Sequence, residues 1–197
     1  MKTVNLVGGV GLIATCLACG GGTSALPTSP DREPKTTSER ISSEGDVVSA
    51  AIPSGAGWNC LHNHQTEGEL QVWFVKCRME ADGEFFFMMA KDYVVPDGQT
   101  TPSQTLITEV SPKNYQKIFT EHTIEDVESV DHQGHAGHQY MLKAVHASKG
   151  AIHKWERVVV MGAHTFNISA EGAPAEFEKY ASERELWLES ATFAELK

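Results

Sequence analysis

The stretch that decides the fold is residues 137–170, GHQYMLKAVHASKGAIHKWERVVVMGAHTFNISA. Two apolar-rich runs flank the turn-forming pair Lys149-Gly150, and a third run follows them. This pattern predicts a long hairpin of Gly137–Ser148 and Ala151–Gly162, followed by a last strand over His164–Ala170. With the turn placed at Lys149-Gly150, Lys143 faces Glu156 and His146 faces His153 across the hairpin. The charged pair suits adjacent strands.

Helices are predicted on both sides of this hairpin in the sequence. Downstream, Pro174–Leu188 is amphipathic, with Phe177 and Tyr180 among the apolar residues on one side. Upstream, Ser111-Pro112 is an N-cap followed by a first-turn proline, which predicts a helix through about Glu121. A short strand near Thr105–Glu109 precedes that helix.

Toward the N-terminus, Trp58–His62 and Leu70–Met79 form a second predicted hairpin. If Gly68-Glu69 is a two-residue loop, Glu67 pairs with Leu70, and the residue numbers of every further pair also add up to 137. Cys60 and Cys77 then lie directly opposite each other, at a separation that a disulfide can bridge. A loop over Gln65–Glu69 remains an alternative, and with it another register.

Several predicted strands are apolar on both faces. Leu70–Val75 and Phe85–Met89 show no alternation with polar residues, and Phe85–Met89 belongs to a predicted strand over Glu84–Tyr93. Strands of this kind are covered on both sides. The order of elements is strands, one helix, strands and a terminal helix. We therefore expect an α+β fold, an α/β/α sandwich around a mainly antiparallel sheet.

A family resemblance supports this architecture. The block Gly137–Phe193 resembles the closing half of the PsbP-like fold, which a photosystem II extrinsic subunit shares with a Ran-binding nuclear-transport factor. The resemblance rests on the long hairpin and on Val158–Gly162, Thr165–Ile168, Pro174, Phe177, Ser190 and Phe193, together with an entry segment, Ile52–Trp58. It implies a sandwich but no activity, because the family consists mostly of assembly factors, binding proteins and uncharacterised lipoproteins.

The first 22 residues predict export and lipidation. Lys2 precedes the uncharged run Val4–Leu17, which is too short to span a bilayer comfortably. Cys19 follows Ala18 and begins a glycine-rich segment, as in many mature lipoproteins, so residues 1–19 are interpreted as a signal peptide with Cys19 as the lipidated residue. Cys16 is an alternative lipidation site, and a plain secretory signal cut near Ala25 is another.

The predicted domain organisation follows from composition. Residues 20–50 are rich in Ser, Thr, Pro and Gly and predict a flexible tether, and residues 51–197 predict one globular domain. The whole chain carries a formal charge of −10, and loss of the signal with its single Lys2 gives −10 − 1 = −11. This charge disfavours nucleic acid and anionic lipid surfaces as partners. The predicted location is the bacterial cell envelope, with the outer membrane favoured because no aspartate follows Cys19.

Histidine is the catalytic residue type that is present in excess, with nine in the chain. The segment from Asp131 to His138 places His132, His135 and His138 three residues apart. Imidazoles at that spacing could bind Zn or Cu, with Asp131 adding an oxygen. The alternative interpretation is a solvated loop without a metal, and no cofactor is predicted.

These features favour a lipid-anchored binding or assembly module of the envelope, without catalytic activity. Its partners would be the membrane, through the lipid, and an envelope protein that contacts loop 94–108 or loop 130–138. A divalent-metal binding protein that uses the histidine segment is the second hypothesis. A hydrolase is the third, although no G-x-S-x-G motif is present.

Overall fold

The computed structural model of the chain describes residues 39–67, 70–79, 86–94 and 101–194. The predicted signal peptide, Cys19 and residues 20–38 of the predicted tether lie outside the described residues. So do the predicted turn at Gly68-Glu69 and residues 95–100 of the predicted partner loop. Within the described ranges, no helix is long and apolar enough to cross a membrane.

A seven-stranded antiparallel sheet forms most of the domain. Its spatial order is β3-β4-β5-β9-β8-β7-β6, so β3 and β6 are the edge strands. The strands are β3 (Trp58–Glu67), β4 (Leu70–Met79), β5 (Phe86–Val94), β6 (Phe119–His132), β7 (His135–His146), β8 (Gly150–Met161) and β9 (His164–Gly172). Strands β5 and β9 are distant in sequence, and their pairing joins the N-terminal hairpin to the C-terminal strands.

A second, three-stranded sheet brings the two ends of the described chain together. It has the order β1-β2-β10, with β1 at Arg40–Ser42, β2 at Val48–Ala51 and β10 at Thr192–Phe193. All four residues of β2 are buried. Residues 40–50 therefore belong to the folded domain and not to the tether. The tether prediction erred here because the segment is mostly polar, but its apolar residues Val47, Val48 and Ala50 join the core cluster.

The helical elements between β5 and β6 differ from the predicted ones. Ser103–Thr105 (α1), a π-helical turn at Leu106–Val110 and Ser111–Tyr115 (α2) form one continuous helical segment, residues 103–115. The predicted strand near Thr105–Glu109 is thus helical, and the helix predicted to reach Glu121 ends at Tyr115. Residues from Phe119 onward pair with β7 instead, because a long neighbouring strand offers them backbone partners.

The C-terminal helix is divided in two. Pro174–Lys179 forms α3 and Ala181–Ser190 forms α4, with Tyr180 between them at φ −101° and ψ 31°. The Tyr180 ring packs against Trp58 and Phe86, with centroids 5.4 and 5.0 Å away. This packing holds Tyr180 in the core at the break between the two helices.

The β7–β8 hairpin is present, but its register differs by three from the predicted one. His146 pairs with Gly150 and Lys143 pairs with His153, whereas Glu156 lies opposite Tyr140. The loop contains three residues before Gly150, which has φ +76°. Three-residue hairpin loops commonly use a glycine in this left-handed conformation. Lys143 instead contacts Glu125 on β6, at 2.6 Å.

The main core lies on one face of the large sheet. Met88, Ile168, Phe177 and Trp187 are buried there, between the sheet and the elements β2, α3 and α4. The opposite face contacts the helical segment 103–115, in which Ile107 and Tyr115 are completely buried. The architecture is thus a mainly antiparallel sheet with few helices.

Candidate functional sites

A buried polar cluster lies between the helical segment and the sheet. It consists of Tyr115, Tyr140, Lys154, Glu156 and Asn167. The Oη atoms of Tyr115 and Tyr140 are 2.5 Å apart, and Tyr115 Oη donates to Glu156 Oε2 at 3.4 Å. Asn167 Nδ2 donates to Glu156 Oε1 at 2.5 Å, and Lys154 forms an ion pair with the same carboxylate.

The charges of this cluster compensate each other. Burial alone would lower the pKa of Lys154, but Glu156, Tyr115 and Glu171 together outweigh burial and raise it. Burial alone would raise the pKa of Glu156, but Lys154 and the hydrogen bonds lower it. Burial raises the pKa values of Tyr115 and Tyr140 above their usual range. Lys154 and Glu156 are therefore both charged at neutral pH, and the two tyrosines are neutral. The cluster attaches the helical segment to β7, β8 and β9.

A second buried group surrounds Arg157 on β8. Its guanidinium donates to Gln139 Oε1 at 3.0 Å, to Glu189 Oε1 at 2.9 Å and to the Leu188 carbonyl at 3.3 Å. It also lies 2.9 Å from His132 Nδ1. These contacts join the sheet to the carboxyl end of α4, where helix carbonyls lack intrahelical partners.

The hairpin that contains the predicted metal ligands separates His138 from His132, whereas His132 and His135 are direct cross-strand partners. His132 Nε2 lies 2.9 Å from the Ala191 carbonyl, so it donates there and its Nδ1 accepts from Arg157. Burial lowers the His132 pKa and favours this neutral form. His138 points to the other face of the sheet, where its Nδ1 lies 2.8 Å from Ser103 Oγ.

Asp131 has a structural role in the turn of this hairpin. Its Oδ1 accepts from the Gly134 amide at 2.9 Å, and Gln133 and Gly134 have φ values of +56° and +86°. Two consecutive positive φ angles are typical of a type I′ hairpin turn. The predicted loop 130–138 is therefore a tight turn between paired strands. The described part of the chain contains no group of three or more His, Cys, Asp or Glu arranged to hold a metal ion.

An Asp–His pair that no sequence motif indicates lies between β5 and β9. His164 Nδ1 is 2.8 Å from Asp92 Oδ2, and Asp92 is completely buried. Asp92 Oδ1 has no hydrogen-bond partner among the described residues. Burial raises the Asp92 pKa to about 6, although the His164 contact opposes this shift. The alternation of side chains along β5 could have indicated that Asp92 is buried, because Phe86, Met88 and Ala90 precede it on the core-facing side of the strand.

The Cys60–Cys77 disulfide is present, as the cross-strand register predicts. The two residues are direct partners in the β3–β4 ladder, and their Cα atoms are 4.1 Å apart. Cys77 is completely buried in the core cluster. His62 pairs with Val75 and His64 with Trp73 in the same register, and the His64 and Trp73 rings stack at 4.5 Å. The bridge therefore connects the β3 edge to the main core.

The fold is similar to that of a solved PsbP protein. No protein-family profile and no curated protein matches the sequence. The solution structure of cyanobacterial PsbP (CyanoP) from Synechocystis matches with a TM-score of 0.52 and 12% identity, covering 79% of this chain and 92% of that one. A protein of unknown function from Pseudomonas aeruginosa matches with a TM-score of 0.40 and 11% identity, covering 70% and 85% of the two chains. The CyanoP similarity supports a PsbP-like fold for this chain.

Proposed function

We propose that this protein is a lipid-anchored binding or assembly module of the bacterial cell envelope and not an enzyme. Cys19 carries the lipid, residues 20–38 supply the tether, and the domain that begins near Arg40 binds an envelope protein. Nucleic acid is not a partner, since the chain carries a net charge of −10. The outer membrane is the favoured location.

One observation carries this proposal: the chemically capable side chains hold elements of the fold together. Glu156 and Lys154 neutralise each other beneath the helical segment, and Arg157 and His132 bind the end of α4. The polar contacts of these four groups are with other groups of the same domain. Function is then expected at the surface, as in a binding protein.

The disulfide supports an extracytoplasmic location. Disulfides persist in oxidising compartments such as the periplasm and are rare in the cytosol. Cys60 and Cys77 are bonded within the domain, which fits a chain whose first 22 residues have the pattern of an export signal. The PsbP-like fold is compatible with a binding role, and the contacts of helices with both faces of the sheet fit the α/β/α sandwich description.

The proposal is tested by crosslinking in intact envelopes, followed by purification of the tagged protein. We expect wild type to capture one envelope protein in near-stoichiometric amount. Cys19→Ser is expected to leave the membrane fraction and to lose that partner. Cys16→Ser is the matched control, and it should retain the lipid and the partner. Recovery of the same set of proteins with wild type and Cys19→Ser, or of none with either, would reject the proposal.

A hydrolase remains the alternative that one specific observation favours. In triad hydrolases an aspartate orients the imidazole that acts as the base, and Asp92 contacts His164 Nδ1 at 2.8 Å. A fluorophosphonate probe that labels activated serines distinguishes the two functions. Labelling of wild type that disappears in His164→Ala would favour the hydrolase, whereas absence of labelling in both supports the binding module.

A further inference from the structure

The two edge strands of the large sheet differ in how they are protected against pairing with another strand. Strand β6 contains several acidic residues, and its pairing with β7 is interrupted between Glu125 and Glu128. Asp126 has φ +52° at this irregularity. Charged side chains and β-bulges are common devices that prevent edge-to-edge association. Strand β6 has both of them.

Strand β3 has neither of these devices. Its register with β4 is continuous over ten residue pairs. No residue from Trp58 to Thr66 is an acid, a lysine or an arginine. Leu61 is 40% exposed on this strand, among the most exposed large apolar side chains of the described residues. An edge that is uninterrupted, that is uncharged from Trp58 to Thr66 and that has an exposed leucine is a template for an additional strand.

The disulfide identifies which backbone groups of β3 face outward. Directly opposite residues with a Cα separation near 4.5 Å form a non-hydrogen-bonded pair, and the Cys60–Cys77 separation is 4.1 Å. Cys60, and with it His62 and His64, therefore directs its backbone N–H and C=O groups away from β4. The His64 amide donates to the Asn63 side chain at 2.9 Å, which agrees with this direction.

We propose that β3 pairs antiparallel with β3 of a second copy of this chain, centred on Leu61. A chain of charge −10 repels its copies over most of its surface, but this edge brings no like charges together. The register that places Leu61 opposite the partner subunit's Leu61 aligns the outward groups of Cys60 with those of the partner's His62. Asn59 then lies opposite the partner's Asn63, and the side-chain nitrogen of Asn63, whose oxygen accepts from its own His64 amide, can donate to the Asn59 side-chain oxygen.

The leucine pair explains why this register is favoured over its neighbours. Leu61 is a non-hydrogen-bonded position toward the new strand, where facing side chains approach most closely. A register shifted by two positions would place Leu61 opposite the polar side chain of the partner's Asn59 or the partner's Asn63. Because a single edge-strand contact is smaller than the ~1,000 Å² of a stable interface, the dimer is expected to be weak and concentration-dependent.

The test is thiol crosslinking of the purified full-length chain in detergent, with Cys16→Ser and Cys19→Ser in the background and the disulfide intact. Leu61→Cys is compared with Val127→Cys, which lies on the β6 edge at 42% exposure. With a short bis-maleimide at tens of micromolar protein, we expect a covalent dimer for Leu61→Cys, at least tenfold more abundant than for Val127→Cys. Equal yields, or no dimer at either position, would overturn the proposal.

A second substitution tests the backbone pairing. In the Leu61→Cys chain, His62→Pro removes an outward amide and leaves the β3–β4 ladder intact, so the dimer yield should fall at least fivefold. An unchanged yield contradicts strand pairing. If His62→Pro unfolds the domain, sedimentation of Leu61→Lys and Val127→Lys replaces this comparison. Both substitutions are then made in a chain without an introduced cysteine. Leu61→Lys should then be monomeric at concentrations where Val127→Lys dimerises, and equal behaviour would overturn the proposal.

Discussion

His164 Nδ1 lies 2.8 Å from Oδ2 of Asp92, a carboxyl group that is completely buried between β5 and β9. Burial raises the Asp92 pKa from 3.8 to about 6. An unfolded chain therefore loses this proton at lower pH than the folded protein does. The contribution to stability is present below about pH 4 and is lost as the pH rises through about 6.

We expect Asp92→Asn to remove this pH dependence, since the amide cannot ionise but can still bond to His164. A shift from 3.8 to about 6 corresponds to about 3 kcal/mol of unfolding free energy. Urea unfolding at pH 4, 5, 6 and 7 measures the unfolding free energy of the two proteins. Wild type should lose stability relative to Asp92→Asn over this range. Parallel pH profiles for the two proteins would show that Asp92 does not titrate as inferred.

The buried Lys154–Glu156 pair predicts a large asymmetry between single and double substitutions. Glu156→Gln or Lys154→Met alone leaves an uncompensated buried charge and should cost about 3–5 kcal/mol of unfolding free energy. Combining Glu156→Gln with Lys154→Met in one chain should cost less than the sum of the two single changes. Denaturant unfolding of the four proteins forms the double-mutant cycle.

The control for this cycle is the exposed pair of Lys143 and Glu125, whose nitrogen and oxygen lie 2.6 Å apart. Lys143→Met should leave the unfolding free energy almost unchanged, because solvent screens pairs of this kind. Equal costs for Lys143→Met and Lys154→Met would contradict the argument from burial.

Removal of the disulfide should destabilise the domain without abolishing the fold. The bridge closes a loop with a sequence separation of 17, and a loop of this size corresponds to about 3 kcal/mol in the chain-entropy description. Cys60→Ala with Cys77→Ala should lower the unfolding midpoint relative to wild type in the absence of reductant. With dithiothreitol the two proteins should converge, and a difference that persists under reduction would assign the effect to packing.

Metal binding by the histidine hairpin should be absent at physiological metal concentrations. His132 is engaged by Arg157 and by the Ala191 carbonyl, and His138 points to the other face of the sheet. Equilibrium dialysis with micromolar Zn²⁺ or Cu²⁺ should retain less than one ion per chain, and a triple substitution of His132, His135 and His138 should not change that value. Retention of one ion that the substitutions abolish would restore the metal hypothesis.

The sequence predicted the elements whose partners are close along the chain. The β3–β4 register and the disulfide follow from a short turn and a period of two, so Cys60 and Cys77 could be placed opposite each other. The β7–β8 hairpin was found, but its register was wrong, because Lys149-Gly150 was interpreted as the whole loop when a three-residue loop precedes Gly150.

Residues whose roles depend on distant partners could not be assigned from the sequence. Asp92 and His164 are 72 positions apart and meet only because β5 pairs with β9. His132 looked like a metal ligand because its neighbours in sequence are histidines, but its partners in space are Arg157 and the end of α4. Local patterns contain no information about such contacts.

The sequence by itself determined the short-range features: the pattern of an export signal, strands with a period of two, one disulfide and an acidic surface. The tertiary structure alone decided which polar groups lose their water. Lys154 and Glu156 are separated by one residue, and alternation places both on the same face of β8. Only the helical segment above them makes that face dry, and burial is what turns an ordinary surface pair into a determinant of stability.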